Sequence, residues 1–373
     1  MRTRRSGQGR GREGGREGES ERERELAMRL AAVEGGGTSF VVAIASSPEP
    51  EGVLERAEFP TTTPEDTLSK VCDWLAARQY DALGVASFGP VDLEKGSPTY
   101  GYITTTPKTA WRNTDILSPL LRVRNVPVLF DTDVNAPALA EYLHAKKSEA
   151  DANITSCAYI TVGTGIGVGL VVNGAPVHGI MHPEAGHVSV PRRPADASFT
   201  GSNPDDCFNG SCAENLACSK ALALRAGLPD TSGLPSVPDD HDAWEATANY
   251  LGALCANLVL TVSPHKIVLS GGVMQRMSLF PRVRAAMQRH LNGYIQLPQI
   301  VTEEGVAKYI TPSVWGNKAG LTGALTLAEF AYRGADFSAS DLCGSAYRLR
   351  YVDIATAVAV VSTAAVIIAS KLR

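Results

Sequence analysis

The chain has no surplus of positive charge: 35 Lys and Arg stand against 39 Asp and Glu in 373 residues. That excludes a broad basic face for nucleic acid. Cysteine is sparse, and its seven thiols are scattered and odd in number. In a long chain this excludes a disulfide framework and fits a reducing compartment such as the cytoplasm. No apolar h-region follows the first residues, which excludes a secretory signal peptide. The Gly-x-x-x-x-Gly-Lys-Ser/Thr loop is missing, and so are the His-Arg-Asp and Asp-Phe-Gly motifs. Neither a P-loop nor a protein-kinase site is encoded.

Both ends differ from the middle. Residues 1–29 are rich in Arg, Glu and Gly and cannot bury a core, so a disordered tail is expected there. Met28 reads as a usable second start. From Ile354 to Ala369 the chain carries no charge, with Arg348 and Arg350 before it and Lys371 and Arg373 after it. A membrane span takes about 20 apolar residues, and flanking cations can snorkel. Within the extension 336–373, a tail-anchor helix over 352–370 would add a membrane partner. The other reading is a helix packed on the core or a tail with no role.

What is present is a pair of glycine-rich turns. One is Glu34-Gly35-Gly36-Gly37-Thr38; the other is Gly163-Thr164-Gly165-Ile166-Gly167. Each lies between two strand-like runs and reads as a hairpin tip. Glycine leaves no Cβ in the way of a ligand, and such turns can aim several N–H groups at one anion. Two of them on separate lobes could hold one polyphosphate. The coarse order of hairpin, strand, helix, strand and helix occurs twice, from Ala31 to His144 and from Ala158 to Tyr332. This predicts an α/β protein of two lobes around a cleft. The N-terminal lobe is expected at 30–150, the C-terminal lobe at 151–318 and a closing helix at 319–335.

Asp133 stands after a short strand, where ligands bind in open α/β sheets. Its carboxylate could take the proton of a sugar hydroxyl; the other reading is an N-cap for the next helix. Glu34 could orient a hydrated Mg²⁺, or be a solvated turn residue. Glu184 and His187 are three residues apart and face one way on a helical turn, suited to vicinal hydroxyls. Glu214 follows Asp206-Cys207-Phe208-Asn209-Gly210-Ser211-Cys212. With His187, these residues suggest a zinc set of His187, Cys207, Cys212 and Asp206, or else two thiols on a loop without metal. Gly271-Gly272, after a strand, allows close approach of an adenine ribose or of packed backbone.

On these residues the chain resembles the ROK-family fructokinases, among the actin-like sugar kinases, from about Leu30 to Arg333. Glu34 to Phe40 is similar to the first phosphate hairpin. Ser87-Phe88-Gly89-Pro90-Val91-Asp92 and Tyr100 to Lys108, with Trp111 following, are similar to the sugar-side loops. Asp131-Thr132-Asp133-Val134-Asn135-Ala136 resembles the catalytic segment, His182 to His187 the sugar and metal segment, and Ser270 to Met274 the adenosine loop. Ala319 to Ala324 resembles the closing helix.

The resemblance implies the two-lobed actin-like (ribonuclease H-like) fold with a duplicated βββαβα core and a central cleft. It implies an ATP-dependent hexose kinase, fructose being the expected substrate and Asp133 the general base. ATP would meet Gly36, Gly37, Thr38, Gly163, Thr164, Gly165, Gly271 and Gly272. The sugar would meet Thr106, Glu184, His187 and Glu214. Mg²⁺, Zn²⁺ and a homodimer are implied as well. The chain departs from the family at Ser39, where Lys is usual, at Asn209 and the shifted Cys207 in the zinc loop, and at Asn215. A broader manno/glucokinase and a weakly active, membrane-tethered sugar-binding protein are the competing functions. A sugar-responsive repressor would need a helix-turn-helix before the first hairpin, where the Arg/Glu tract stands.

Overall fold

The computed structural model describes residues 28–148, 153–203, 208 and 210–335. The tail 1–27, the extension 336–373 with its expected anchor at 352–370, Asp206, Cys207 and Asn209 lie outside the described residues.

The apolar run Leu-Ala-Ala-Val opens β1 (Leu30–Gly35), and the glycine turn sends it back as β2 (Ser39–Ala45). β1 is buried almost throughout, as expected of a central strand covered on both faces. β3 (Val53–Pro60) exposes Glu55, Arg56 and Glu58, the charged dress of an edge strand. β4 (Ala82–Ser87) is wholly buried, and a two-stranded ribbon, β5 (Tyr102–Ile103) with β6 (Thr114–Asp115), stands apart. β7 (Val128–Thr132) completes a sheet ordered β3-β2-β1-β4-β7. β4 runs parallel to both β1 and β7.

The second sheet repeats the plan. It contains β8 (Cys157–Val162), β9 (Ile166–Val172), β10 (Ala175–Pro176), β11 (Lys266–Ser270) and β12 (Ile310–Pro312). Its order is β10-β9-β8-β11-β12, with β11 parallel to β8 and β12. The duplication expected from the sequence is therefore present strand for strand.

The helices are α1 (Pro64–Ala76), α2 (Leu117–Val123), α3 (Asn135–Lys146), α4 (Ala213–Ala217), α5 (Ser219–Arg225), α6 (Asp242–Thr261), α7 (Leu279–Leu291), α8 (Pro298–Val301), α9 (Glu303–Tyr309) and α10 (Ala319–Tyr332). α1 starts on the Thr63 cap and buries Leu68, Val71 and Leu75 against the first sheet. α6 and α7 cover the outer face of the second.

Two helices change partners. α3 follows β7 yet packs mainly on β8 and β9; α10 follows β12 yet packs on β4, β1 and β7. They lie against each other between the sheets, in one core that joins Leu30, Ala86, Leu139, Tyr159, Val171 and Leu325. The approach is close: a Cβ on Gly84 would sit 1.9 Å from the Ala324 carbonyl oxygen, and one on Gly169 1.9 Å from that of Val134. The lobes are thus stitched by exchanged helices. The boundary expected at residue 150 divides the sheets but not the packing.

Candidate active site

β7 runs on to Thr132, so Asp131 lies inside the strand and Asp133 just beyond it. The Asp133 N–H donates to the Ser87 carbonyl at 2.9 Å, which ties the end of β7 to the end of β4. The helix N-cap bond comes from another residue: Thr132 Oγ1 accepts from the Asn135 N–H at 2.9 Å. The Asp133 carboxyl makes no cap bond to the helix and accepts from its own backbone N–H. Burial pushes its pKa up to about 7, because a low-dielectric surround disfavours the charged form.

Behind Asp133, the fully buried Asp131 fixes the strand end. Its Oδ1 accepts from the Thr132 N–H (2.7 Å) and from Asn135 Nδ2 (3.0 Å), and its Oδ2 meets His178 Nε2 at 2.9 Å. Asn135 Oδ1 accepts from the Leu170 N–H of β9 at 3.1 Å. Burial depresses the His178 pKa, but the bond and charge of Asp131 outweigh it, and the net shift is upward. The His178 contact was not foreseen from sequence; a lone His after a two-residue strand gives no local signal of a partner 47 residues away.

Glu34 sits at the end of β1, its carboxylate against the start of α10. A Cβ on Gly320 would lie 1.9 Å from Glu34 Oε1. Its pKa is pushed up to about 7, first by burial and then by the charge of Asp133. The charge of Asp133 thus reaches Glu34.

The second lobe carries three more candidate groups. The turn Ala185–His187 packs so tightly on β9 that a Cβ on Gly186 would sit 1.7 Å from the Ile166 carbonyl oxygen. Burial raises the Glu184 pKa; His187 opposes this, while Asp133 and Glu214 add to it. His187 Nε2 lies 4.0 Å from Glu214 Oε1, and its Nδ1 lies 3.6 Å from Cys212 Sγ. Glu214 Oε2 accepts from the Ile166 N–H at 2.8 Å, beside the second glycine turn. Glu34 thus feels the charge of Asp133, and Glu184 feels those of Asp133 and Glu214. His182 accepts the Val91 N–H on Nε2 at 3.0 Å and so fastens the first lobe's Gly89-Pro90 loop.

The turns are partly self-bonded. The Gly36 N–H donates to Ser39 O and the Gly163 N–H to Gly165 O, both at 2.9 Å. These two N–H groups shape the turns. Gly37, Thr38, Thr164 and Gly165 form the open tips. Gly271 has φ 91°, and a Cβ there would lie 2.4 Å from the Val162 carbonyl oxygen; Gly272 opens onto free space. Thr106 is buried, and its hydroxyl takes the Lys108 N–H at 3.4 Å. Its hydrogen bonds, to Lys108 and Arg112, keep it within its own loop and apart from the Glu184–Glu214 group. Ser39 Oγ donates to Glu58 at 2.7 Å, and Asn215 clasps the loop at Ser202 and Asn203.

The zinc set is not assembled among the described residues. Only His187 and Cys212 meet; Cys207 and Asp206 fall outside them. No group of three or more His, Cys, Asp or Glu among the described residues could hold a metal ion. Likewise, none of their helices is long and apolar enough to cross a membrane.

Two sheets of one strand order, each with a glycine hairpin and parallel strands ending in candidate site residues, fit an actin-like sugar-kinase architecture. The comparisons agree. A ROK hexokinase from Thermus thermophilus has the same fold, with TM-score 0.61 and 24% identity over 83% of this chain and all of that one. So has a ROK glucokinase from Streptomyces griseus solved with glucose and AMPPNP, with TM-score 0.61 and 21% identity over 81% and 99%. A putative fructokinase of Bacillus subtilis is 37% identical over 302 residues, 81% of this chain and 96% of its own. The fructokinase of Pediococcus pentosaceus is 36% identical over 308 residues, 83% and 100%. The ROK family matches residues 30–330, and the chain belongs to it.

Proposed function

We propose that this protein is an ATP-dependent fructokinase: D-fructose and ATP give fructose 6-phosphate and ADP. The reading is supported above all by the fructokinase relatives at 36–37% identity over most of the chain, together with a buried carboxyl, Asp133, just past the end of β7 whose pKa burial raises to about 7. A base works best when its pKa lies near the working pH. Asp133 accepts the proton of the sugar's 6-hydroxyl. That oxygen bonds to the γ-phosphorus, the bond from phosphorus to the β,γ-bridging oxygen breaks, and ADP leaves. Glu184, His187 and Glu214 hold the other hydroxyls. The tips at Gly37, Thr38, Thr164 and Gly165 cradle the phosphates, and Gly272 faces the nucleoside. Positioning and charge stabilisation carry such transfers.

Mg²⁺ fits the desolvated Glu34 carboxyl, which would hold it through water; the ion supplies neutralising charge to the phosphates. Zinc does not fit the described residues, so no step is assigned to it. Metal analysis of the purified protein decides whether Cys207 and Asp206 complete the set with His187 and Cys212. A cytoplasmic location and a homodimer belong to the same proposal. Fractionation with and without 352–370, and sedimentation, test them.

The test of function is a coupled ADP-release assay with fructose, mannose and glucose. Fructose is expected to give the highest kcat/KM. Equal turnover of all three would favour the manno/glucokinase reading, and no sugar-dependent ADP release would overturn the assignment.

A further inference from the structure

The first hairpin carries no cation of its own. Glu34, Gly35, Gly36, Gly37, Thr38, Ser39 and Phe40 supply one negative charge and none positive. The tail of ATP brings several negative charges to this tip, and Asp133 and Glu34 add two carboxyls. Among the charges that shift Glu34, only Arg56 opposes the others, and the Arg56 guanidinium is paired with Glu58 at 2.7 Å.

A cation reaches the tip from elsewhere. A Cβ on Gly37 would lie 3.2 Å from Lys108 Cε. The end of the Lys108 side chain therefore lies over the open part of the turn. Lys108 is exposed and forms no ion pair among the described residues.

Its loop is anchored to the same hairpin. Trp111, three residues on, stacks on Phe40 (centroids 5.3 Å apart) and donates Nε1–H to the Thr62 carbonyl at 2.9 Å. Thr61, beside Thr62, closes on the turn, its hydroxyl donating to Gly36 O at 2.7 Å and its N–H to Thr38 O at 2.9 Å. The turn, the segment after β3 and the Lys108 loop are thus bonded into one unit, and Lys108 cannot drift far from Gly37 while Trp111 is seated.

Resting on the kinase reading above, we propose that Lys108 is the residue whose ammonium meets the phosphoryl group in transfer, at the mouth of the first hairpin. It exchanges no bond, and holds charge on the equatorial oxygens while the phosphoryl group passes from ADP to the sugar. Its contact should grow as the β,γ-bond loosens, so the effect falls on kcat more than on sugar binding.

Three measurements on Lys108→Ala and Lys108→Arg test this. Steady-state kinetics should show kcat down about 10²-fold in Lys108→Ala, with KM for fructose within about threefold. Lys108→Arg should recover a large part of that rate. Added ethylammonium should raise the rate of Lys108→Ala and leave the wild type unchanged. Calorimetry with Mg–ATP and Mg–ADP is independent of sugar turnover. Lys108→Ala should lose about tenfold in ATP affinity and far less in ADP affinity. An unchanged kcat with an unchanged ATP-to-ADP preference would overturn the role of Lys108. If the wild type turns over no sugar but Lys108→Ala still loses its ATP preference, the fructokinase reading fails and the Lys108 contact stands.

Discussion

The two sheets share one strand order and one pattern of parallel and antiparallel pairing, yet their strand ends hold different residues. In the first lobe β1 ends at Glu34-Gly35, and β7 leads into Asp133. At the same places in the second lobe β8 ends at Thr161-Val162, and β12 ends at Pro312, followed by Ser313. One set of ends presents ionisable carboxyls to the cleft. The other carries no carboxyl at these places, and Ser313 bonds the buried Glu141 of α3 across the lobe boundary. A duplicated scaffold therefore supports an unduplicated site. The pairing pattern positions both halves, and a few residues past the strand ends decide which half carries the carboxyl proposed as the base.

The strongest way to break this asymmetry is Asp133→Asn. We expect kcat to fall about 10³-fold while Mg–ATP affinity by calorimetry holds within about threefold. Next comes Glu214→Ala, which removes both a proposed sugar contact and the acceptor of the Ile166 N–H. KM for fructose should rise about 30-fold, the size of a lost hydrogen bond to a charged group. The glycine turn gives a sharper internal contrast. A Cβ on Gly165 would lie 2.5 Å from Glu214 Oε2, whereas one on Gly163 meets open space. Gly165→Ala should raise KM for fructose about tenfold by displacing Glu214, and Gly163→Ala should leave it within about twofold.

The pH dependence separates the lobes too. Asp133 and Glu34 both sit near pKa 7. The kcat/KM for fructose should fall about tenfold per unit below pH ~7, as the base is protonated. For stability the sign is opposite to that of a salt-bridged acid. These carboxyls keep their protons in the folded chain where the unfolded chain has lost them. Stability therefore falls as pH climbs from about 4 to about 7 and flattens above. Glu34→Gln should remove part of that slope and raise Tm at pH 8 by about 2–4 °C. The smallest effect belongs to Glu141→Gln. That carboxyl is also raised to about 7 by burial, but it keeps a hydrogen-bond acceptor as the amide. A shift of about 1 °C in the same direction is expected by calorimetric scanning.

Much of this was legible in the chain. The run Ala82–Ser87, the two hairpins and the start of α3 at Asn135 follow from apolar runs broken by glycine or by Asp-Thr-Asp. The edge strand β3 was not, because Glu55, Arg56 and Glu58 give it no apolar alternation and only its neighbour β2 makes it a strand. Nor was the exchange of α3 and α10, since Gly84, Gly169 and Gly323 reveal their partners only once the sheets face each other. The site divides in the same way. Asp133, Glu184 and His187 stood out by residue type and position, whereas Glu214 joined the sugar set through the family resemblance. The Asp131–His178 pair and the seat of Lys108 over Gly37 depend on contacts between distant segments, which no local pattern encodes. Sequence left open whether Asp133 was a helix cap, and the bond from Asn135 to Thr132 answers that.

The central claim is that the two glycine tips close on one nucleotide tail with the Asp133 carboxyl at its end. A crystal structure with a non-hydrolysable ATP analogue and fructose tests it most directly. The account predicts phosphates touching both Gly37-Thr38 and Thr164-Gly165, and an Asp133 oxygen about 2.6–3.2 Å from the 6-hydroxyl. A nucleotide resting on one tip alone, or a sugar hydroxyl out of reach of Asp133, would contradict it.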